Sequence, residues 1–369
     1  MKKGLIIGAG NIGRGVVGYL LYQAGYDLSF SNLNTRKLIE MRSMGGYSVY
    51  NSKMQCTRIK KFNIVSSERL SKELFVHDLI FCCFYENAFK SVAEKIATVF
   101  LERRDNNFVN IMLCVNSIEA TKIFTQYVEY ELRKNKEALN YFRRFVGINQ
   151  VMVLSAAMPL SDQNEDSDPY AILISDNPHL EIDGVSFKGS KPKISGIEFV
   201  NNAEARFYRK IYVGNMCHTM AAFIGKARNY KYIWESQQDP QIRSWIEGAF
   251  SEAHQAICLS YELDTEEDKE WVHYYYNKMN QCIDDPINRV VSNAKKKLGP
   301  AERFIGPAKL CLKHQIIPSF IIKGIAYGLK MIQKEENCTL DDLLIETCGL
   351  DSKSDSLLYQ LIKEQSESI

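Results

Sequence analysis

The amino-acid sequence predicts an α/β protein in which a doubly wound domain is followed by a mainly α-helical domain. Short apolar runs alternate with helical patterns through the first half, and such β-α-β alternation builds a mostly parallel sheet with helices on both faces. Long helical periodicities with few strand-like runs occupy the second half. The length of 369 residues also favours two domains, since a domain usually has roughly 100–200 residues.

The predicted strands of the first domain are apolar runs of strand length, at residues 3–7, 28–31, 79–84 and 110–115. Helical patterns lie at residues 12–24, where Gly25 follows, and at residues 88–101. A turn-rich stretch at 170–199 is interpreted as a β extension of this domain, which therefore covers residues 1–199. The second domain covers residues 200–369, with helices predicted at 203–226, 242–261, 267–282 and 318–334.

Composition and charge exclude several classes of protein. With 46% hydrophobic residues and a net charge of +2, the chain offers no electrostatic case for a nucleic-acid or membrane partner. No run approaches ~18 apolar residues, and the apolar N-terminus breaks at Gly8 and Gly10, so it is interpreted as a strand rather than a signal peptide. We expect a cytoplasmic protein whose ten cysteines are free thiols. The chain has no CxxC pair and no HExxH spacing, so no metal site is predicted.

The motif GAGNIG at residues 8–13 matches the G-x-G-x-x-G pattern between a predicted strand and a predicted helix. Gly8 allows the tight turn, Gly10 lets a pyrophosphate approach the backbone, and Gly13 lets the helix pack closely on the strand. Free N–H groups at the helix N-terminus, around Asn11 and Ile12, point toward the phosphates. This context favours a dinucleotide-binding domain of Rossmann type over an ordinary tight turn.

The end of the second predicted strand carries Asn32, where an Asp or Glu usually holds the ribose 2′-hydroxyl of NAD. Asn still hydrogen-bonds a hydroxyl, but it does not repel a 2′-phosphate, and Arg36 and Lys37 follow closely. These two cations are either solvated surface charges or contacts for the phosphate of NADP. At this point the sequence leaves both NAD and NADP open.

Lys210, Asn215 and His218 lie together at the start of the helical domain. On an ideal α-helix, with roughly 100° per residue, the three side chains fall within an arc of about 140° and can converge on one cleft. A desolvated Lys with a lowered pKa can take the proton of an alcohol, while Asn and His hydrogen-bond the developing oxyanion. On spacing alone, a surface Lys, a helix-packing Asn and a hydrogen-bonded His are the simpler interpretation.

Two patches carry a resemblance to a known family: GAGNIGRG at residues 8–15, and the Lys-x4-Asn-x2-His spacing. Together with collinear stretches along nearly the whole chain, they resemble the polyol-specific long-chain dehydrogenases, in particular the branch that acts on polyol phosphates. The resemblance implies a Rossmann domain, a helical substrate domain and a metal-independent, NAD-dependent enzyme that interconverts a polyol or sugar phosphate and the matching ketose. It implies Lys210 as general acid and base, Asn215 and His218 as groups that polarise the substrate oxygen, and Asn116 near the nicotinamide.

Departures from the family pattern concern the substrate. Met152 and Val153 replace an Asp-Arg pair that helps relatives bind the polyol, and Ser292 replaces a family Arg. Relatives of the phosphate branch also carry Asp at the position of Asn32. Lys296 and Arg303 remain as candidate substrate contacts for an anion, with ordinary surface charges as the alternative.

Three functions stay open from the sequence. The first is a polyol or sugar-phosphate dehydrogenase, and the second is an enzyme of the same fold that acts on a sugar acid, an aldonate or uronate. The third is a dinucleotide-binding protein without catalysis, against which the retention of Lys, Asn and His argues. The exact substrate, the direction of flux and the oligomeric state are not specified by the sequence.

Overall fold

The computed structural model describes residues 2–102, 107–160, 168–280, 282 and 284–369, apart from the side chain of Phe75. The chain divides into two compact units, Met1–Ala203 and Glu204–Ile369. An α/β first unit and a mainly helical second unit confirm the predicted fold class. None of the described helices combines the length and the apolar character needed to cross a membrane.

The described strands of the first unit are β1 (Lys3–Ile7), β2 (Asp27–Ser31), β3 (Tyr47–Tyr50), β4 (Cys56–Ile59), β5 (Asn63–Val65), β6 (Leu79–Cys82), β7 (Val109–Leu113), β8 (Val146–Val153), β9 (Ala157–Pro159), β10 (Ile172–Ile174), β11 (Leu180–Asp183) and β12 (Ile197–Val200). Its α-helices are α1 (Gly18–Gln23), α2 (Arg36–Ser43), α3 (Leu70–Glu73), α4 (Phe89–Glu102), α5 (Ala120–Leu132) and α6 (Lys136–Phe145). A π-helical turn covers Ile12–Val17, and 3₁₀ turns cover Leu74–Val76 and Glu86–Ala88. The four runs predicted as strands correspond to β1, β2, β6 and β7. The helix predicted at 12–24 starts with the π-helical turn, a distinction that apolar periodicity does not resolve.

Among the described residues, eight strands form the main sheet, in the order β12-β11-β8-β7-β6-β1-β2-β5. The strands from β8 to β5 are parallel and have the order of a doubly wound dinucleotide-binding fold. β11 is antiparallel to β8, and β12 lies parallel beside β11. Ile6 of β1 packs into one hydrophobic core, whereas Leu5 and Ile7 pack into another, so both faces of the sheet are covered.

A smaller sheet, with the order β4-β3-β10-β9 in the described chain, packs against the π-helical turn. A Cβ atom on Gly15 would lie 2.7 Å from the side chain of Ile172, which shows how closely the two elements approach. The sequence patterns do not predict β3, β4, β5 and β9, because strands of three or four residues give a weak apolar signal. They also do not predict the longer β8, whose apolar run is interrupted by Asn149 and Gln150. The β extension predicted at 170–199 is divided between the two sheets. Strand β10 belongs to the smaller sheet, and β11 and β12 belong to the main one.

The second unit is built from helices, and α7 begins at the boundary between the units. The described α-helices are α7 (Ala203–Tyr208), α8 (Met216–Ala227), α9 (Ile233–Gln238), α10 (Pro240–Ser260), α11 (Thr265–Met279), α12 (Ile287–Val291), α13 (Ala294–Lys297), α14 (Ile305–Lys313), α15 (Ser319–Glu336), α16 (Leu340–Asp342) and α17 (Ser356–Glu367). π-Helical turns cover Arg209–Asn215 and Leu343–Thr347. α8 is buried over most of its surface, with α10, α12 and α15 packed around it. The helices predicted at 203–226, 242–261 and 318–334 are present. The one predicted at 267–282 ends at Met279, and residue 281 lies outside the described residues.

Candidate active site

The glycine loop at residues 8–13 follows β1 at the carboxyl edge of the main sheet. Gly8 has a φ of +101°, and a Cβ atom there would lie 2.2 Å from the carbonyl oxygen of Cys83. A Cβ atom on Gly13 would lie 2.1 Å from the carbonyl oxygen of Gly8. At Gly10, in contrast, a Cβ atom would meet no described atom within 4 Å. The chain's own packing therefore requires the outer two glycines, whereas Gly10 faces open space, as expected where a phosphate approaches the backbone.

The helix after this loop begins at Ile12, and Asn11 at its cap makes no side-chain capping hydrogen bond. Backbone N–H groups at a helix N-terminus carry partial positive charge and bind anions. The loop residues thus fit the pyrophosphate of a dinucleotide: the backbone is open at Gly10, and the helix N-terminus follows directly.

Arg14 follows the glycine loop and is a further candidate residue, one that the sequence motifs do not indicate. Arg14 is 4% exposed and donates from Nε to the carbonyl oxygen of Ala9, at 2.9 Å. It also donates from Nη1 to the carbonyl oxygen of Tyr170, at 2.9 Å. Burial lowers the pKa of the guanidinium, but an Arg side chain stays protonated in proteins. A buried cation therefore adds positive potential beneath the loop, and its signal in the sequence is a charged residue within an apolar helical pattern.

Asn32 follows β2 and contacts the glycine loop. Its Oδ1 accepts a hydrogen bond from the backbone N–H of Ala9 at 3.4 Å, and its Nδ2 donates to the carbonyl oxygen of Asn34 at 3.0 Å. The residues after Asn32 line an open pocket of about 520 Å³. Its lining residues are Leu33, Asn34, Thr35, Arg36, Ile39 and Glu40. The position after β2 is where the adenosine ribose lies in doubly wound dinucleotide-binding folds.

This pocket carries a negative charge as well as a positive one. Arg36 Nε lies 2.9 Å from Glu40 Oε1, and Glu40 also accepts a hydrogen bond from the hydroxyl of Tyr170. The hydrogen bonds from Tyr170 and then from Arg36 lower the pKa of Glu40, so the carboxylate is ionised at neutral pH. Asn116 is exposed in the loop after β7, at the same carboxyl edge of the sheet as Asn32.

In the second unit, Lys210, Asn215 and His218 lie on one continuous helical stretch and are all half-buried. The predicted arc of about 140° assumed an ideal α-helix, and this assumption is wrong because Arg209–Asn215 is π-helical. Backbone bonds in a π-helix join residues five apart, so Lys210 and Asn215 lie on adjacent turns of one face. The Lys210 ammonium is 5.9 Å from the ring centroid of Phe207.

His218 is paired with a carboxylate that sequence analysis misses, because it lies 67 positions further along the chain. His218 Nε2 is 3.1 Å from Asp285 Oδ2, and Arg289 Nε donates to Asp285 Oδ1 at 2.7 Å. Burial alone raises the pKa of Asp285, but the hydrogen bonds and charges of His218 and Arg289 lower it well below its usual value. The ionised carboxylate can only accept, so Nε2 carries the proton, and Nδ1 is left for a ligand.

Arg303, a predicted substrate contact, lies near the cation Lys297 and is ion-paired with Glu302, whose Oε2 is 3.6 Å from Arg303 Nη2. Its side chain is 16% exposed, and Nη1 donates to Thr219 Oγ1 at 3.3 Å. Its buried Nε has no hydrogen-bond partner in the described part of the chain. Lys297 is half-buried, and burial, followed by the charges of Arg303 and Arg289, lowers its pKa to about 8. The predicted contact Lys296 is instead exposed. A buried donor without a partner, near a second cation, suits an anionic group.

An open glycine loop on a doubly wound sheet, and a helical unit with Lys, Asn and His on one helix, define a dinucleotide-dependent dehydrogenase. The chain belongs to the mannitol dehydrogenase family. Residues 2–196 match the mannitol dehydrogenase Rossmann domain, and residues 204–347 match the mannitol dehydrogenase C-terminal domain. This match confirms the resemblance inferred from the sequence motifs.

Curated relatives and solved structures agree with this family. Mannitol-1-phosphate 5-dehydrogenase of Thermoanaerobacter pseudethanolicus is 30% identical, over 100% of this chain and 98% of the relative. The Bacillus pumilus enzyme of the same name is 28% identical, over 98% and 99%. Pseudomonas fluorescens mannitol 2-dehydrogenase, solved as a ternary complex with NAD and D-mannitol, has a TM-score of 0.77 at 12% identity, over 100% of this chain and 91% of that chain. A solved D-sorbitol dehydrogenase has a TM-score of 0.73 at 15% identity, over 99% and 93%. At these identities the solved structures confirm the fold.

Proposed function

We propose that this chain is an NAD-dependent dehydrogenase that interconverts a hexitol phosphate and the matching ketose phosphate, as the names of its curated relatives suggest. The observation that carries the proposal is that one helical unit holds both a Lys-Asn-His set and the buried guanidinium of Arg303, whose Nε has no hydrogen-bond partner among the described residues. The first supplies the groups for proton transfer, and the second supplies a contact for a phosphate ester.

Lys210 takes the hydroxyl proton when the alcohol is oxidised and returns it when the ketose is reduced. Asn215 donates from its side-chain amide to the substrate oxygen as negative charge develops there. His218 has a role more specific than the sequence suggested: Asp285 holds its Nε2, so Nδ1 is the ring nitrogen that is left to contact the substrate oxygen. NAD, when bound, supplies the hydride acceptor at the carbon.

The phosphate of the substrate is assigned to Arg303 and Lys297. Lys297 Nζ donates to the backbone carbonyl oxygen of Ser292, at the position where relatives carry an Arg. Lys297 thus brings positive charge to the place where the family Arg is absent. Because a Lys can bind a phosphate as a point charge, the loss of the Arg at Ser292 is compatible with an anionic substrate.

For the cofactor, Gly8, Gly10 and Gly13 with Asn11 and Ile12 would hold the pyrophosphate, Asn32 the adenosine ribose and Asn116 the nicotinamide end. NAD is favoured over NADP because the Glu40 carboxylate pairs with Arg36 and would repel a 2′-phosphate. Glu40→Gln should therefore improve the affinity for NADP while leaving the affinity for NAD nearly unchanged. Gly10→Val should abolish binding of both nucleotides in a folded protein, since a Cβ atom there meets no described atom within 4 Å.

The experiment that tests the proposal is a panel of hexitol phosphates, hexitols and aldonates, with NAD reduction read by absorbance. The hexitol phosphate should give the highest kcat/KM. A preference for an aldonate would move the protein to the sugar-acid alternative, because a carboxylate also fits the cation pair. No turnover of any compound, with intact NAD binding, would favour a non-catalytic dinucleotide-binding protein.

A further inference from the structure

Apart from the residues assigned to the dehydrogenase reaction, three side chains of the helical unit direct one ligand atom each toward a single point. His254 and Cys258 lie one turn apart on α10, and Asp268 lies on α11. His254 Nε2 is 2.9 Å from Asp268 Oδ2 and 3.7 Å from Cys258 Sγ, and Sγ is 3.9 Å from the same Oδ2. We propose that His254, Cys258 and Asp268 form a zinc-binding site that is separate from the proposed active site.

The three separations match the dimensions of a zinc centre. Zinc binds Cys at about 2.3 Å, His at about 2.0–2.1 Å and a carboxylate at about 2.0–2.2 Å, so neighbouring ligand atoms of a tetrahedral site are roughly 3.4–3.6 Å apart. The observed separations of 2.9, 3.7 and 3.9 Å lie on both sides of this range. A small lengthening of the contact between His254 and Asp268 is the main change that the ion requires.

The geometry favours chelation over a proton relay. In a Cys-His-Asp relay, the thiol and the carboxylate contact opposite nitrogens of the imidazole ring. Here Cys258 Sγ and Asp268 Oδ2 both approach Nε2 of His254. The sulfur, the oxygen and the nitrogen therefore lie around a single point, as ligand atoms do in a metal site. In a relay, the thiol and the carboxylate would be separated by the imidazole ring.

The surrounding residues hold the ligands in place, as supporting contacts do in metal sites. The ring of His254 stacks against Phe250 and Trp271, with centroids 5.5 and 6.3 Å away. Arg209 is 2% exposed and donates to Asp268 Oδ1 at 2.6 Å, which leaves Oδ2 for the ion. Arg209 is also paired with Glu267, so the Cys258 thiolate and the Asp268 carboxylate are the two anionic ligands offered to the ion.

The donor set selects zinc among common divalent cations. A thiolate and an imidazole are soft or borderline ligands that bind zinc, whereas magnesium and calcium take oxygen ligands. Cys258 is exposed, so solvent reaches the site and water can complete four-coordination. On binding, the S–H bond of Cys258 breaks as the Zn–S bond forms, and that proton passes to solvent. His254 likewise gives up the Nε2 proton that faces Asp268 and takes the Nδ1–H tautomer as the Zn–N bond forms.

The test is a zinc titration of metal-free protein against a chromophoric chelator, with cobalt(II) as a spectroscopic probe of thiolate ligation. The wild-type protein should bind one zinc ion. Cys258→Ser and His254→Gln should bind zinc at least ~10–100-fold more weakly, because loss of even a supporting residue around a metal typically has an effect of this size. Its cobalt form should show a thiolate-to-metal charge-transfer band that is absent from Cys258→Ser.

Matched controls separate this site from the other thiols and imidazoles. Cys56→Ser and His273→Gln change exposed residues outside the cluster and should bind zinc as the wild type does. Circular dichroism verifies that each variant is folded. Equal zinc affinity in wild type and Cys258→Ser, or a cobalt spectrum without the thiolate band, would overturn the proposal. Chelation should leave kcat unchanged, so failure of this site would not affect the proposed dehydrogenase function.

Discussion

Two histidine–aspartate pairs in the helical unit have the same construction and different surroundings. In each pair Nε2 of the His contacts Oδ2 of the Asp, at 3.1 Å between His218 and Asp285 and at 2.9 Å between His254 and Asp268. In each, an Arg side chain hydrogen-bonds the same carboxylate. The pairs differ in the third group that accompanies them and in how deeply the Arg is buried.

In the first pair, the carboxylate is bound by Arg289, whose side chain is 65% exposed. His218 of this pair follows Lys210 and Asn215 on the same helical stretch. The second has Arg209, which is 2% exposed, and a thiol 3.7 Å from the ring nitrogen. A His–Asp pair therefore does not by itself define a function. The function that we assign to each pair depends on the groups that accompany it. The amine of Lys210 and the amide of Asn215 favour proton transfer at a substrate oxygen, whereas the thiolate of Cys258 favours a metal ion.

The largest effect should come from the amine beside the first pair. Lys210→Ala should lower kcat by at least ~10²-fold, because the alcohol proton loses its acceptor. The pH profile of alcohol oxidation should lose one ionisation, and NAD affinity should stay near wild type. Lys334→Ala, which removes an exposed Lys of α15, is the control. A Lys210→Ala enzyme with a normal kcat and pH profile would contradict the assignment.

Asp285 acts through His218, so its removal should cost less. Asp285→Asn should lower kcat by up to ~10²-fold, the loss expected when a reacting group is misplaced by about 1 Å. KM should change little, because Asp285 is assigned no contact with the substrate. Asp285→Glu, which keeps the charge, should restore part of kcat, and equal losses in both variants would indicate a structural role only.

The smallest effect should concern the pH dependence of substrate binding at Lys297. Its ammonium loses the proton as pH rises through about 8. KM for the phosphate ester should therefore increase above that pH by about tenfold, since a hydrogen bond to a charged group contributes roughly 1.5–3 kcal/mol. Lys297→Arg should remove this rise, and an unphosphorylated hexitol should not show it.

The stability of the folded chain should also depend on the ionisation of Lys297, and it should increase with pH in the range where substrate binding weakens. The pKa of about 8 in the folded chain lies below the ~10.4 of an exposed Lys. Between these values the unfolded chain binds more protons, so the free energy of unfolding should rise with pH in this window. Denaturant unfolding at several pH values measures the slope, and Lys297→Met should flatten it.

The fold class and the family could be predicted because their signals are local. The glycine loop, the strand-length apolar runs and the Lys-Asn-His spacing each lie within a short segment. The short strands of the smaller sheet were missed, because their pairing joins residues as distant as Val49 and Ile172. Their stability comes from tertiary contacts rather than from a periodic sequence.

The rest of the candidate site required coordinates for the same reason. Asp285 lies 67 residues from His218, and nothing in the local sequence assigns it to an imidazole. The π-helical turn brings Lys210 and Asn215 onto one face, whereas an ideal α-helix places them about 140° apart. His254 and Cys258 do have the i, i+4 spacing of ligands on a helix, but Asp268 is brought to them by the packing of α11 on α10, in which Phe250 contacts Trp271 and Tyr275.

The account is tested most directly by measuring kcat and zinc affinity together in His218→Ala and His254→Ala. His218→Ala should lower kcat by roughly 10²–10³-fold, the usual loss of a group that contacts a reacting oxygen, and it should keep the zinc affinity of the wild type. His254→Ala should lose zinc and keep kcat within about threefold, consistent with an effect of less than ~1 kcal/mol. If either variant lost both properties, or if His218→Ala kept its kcat, the two pairs would not have the separate roles assigned to them.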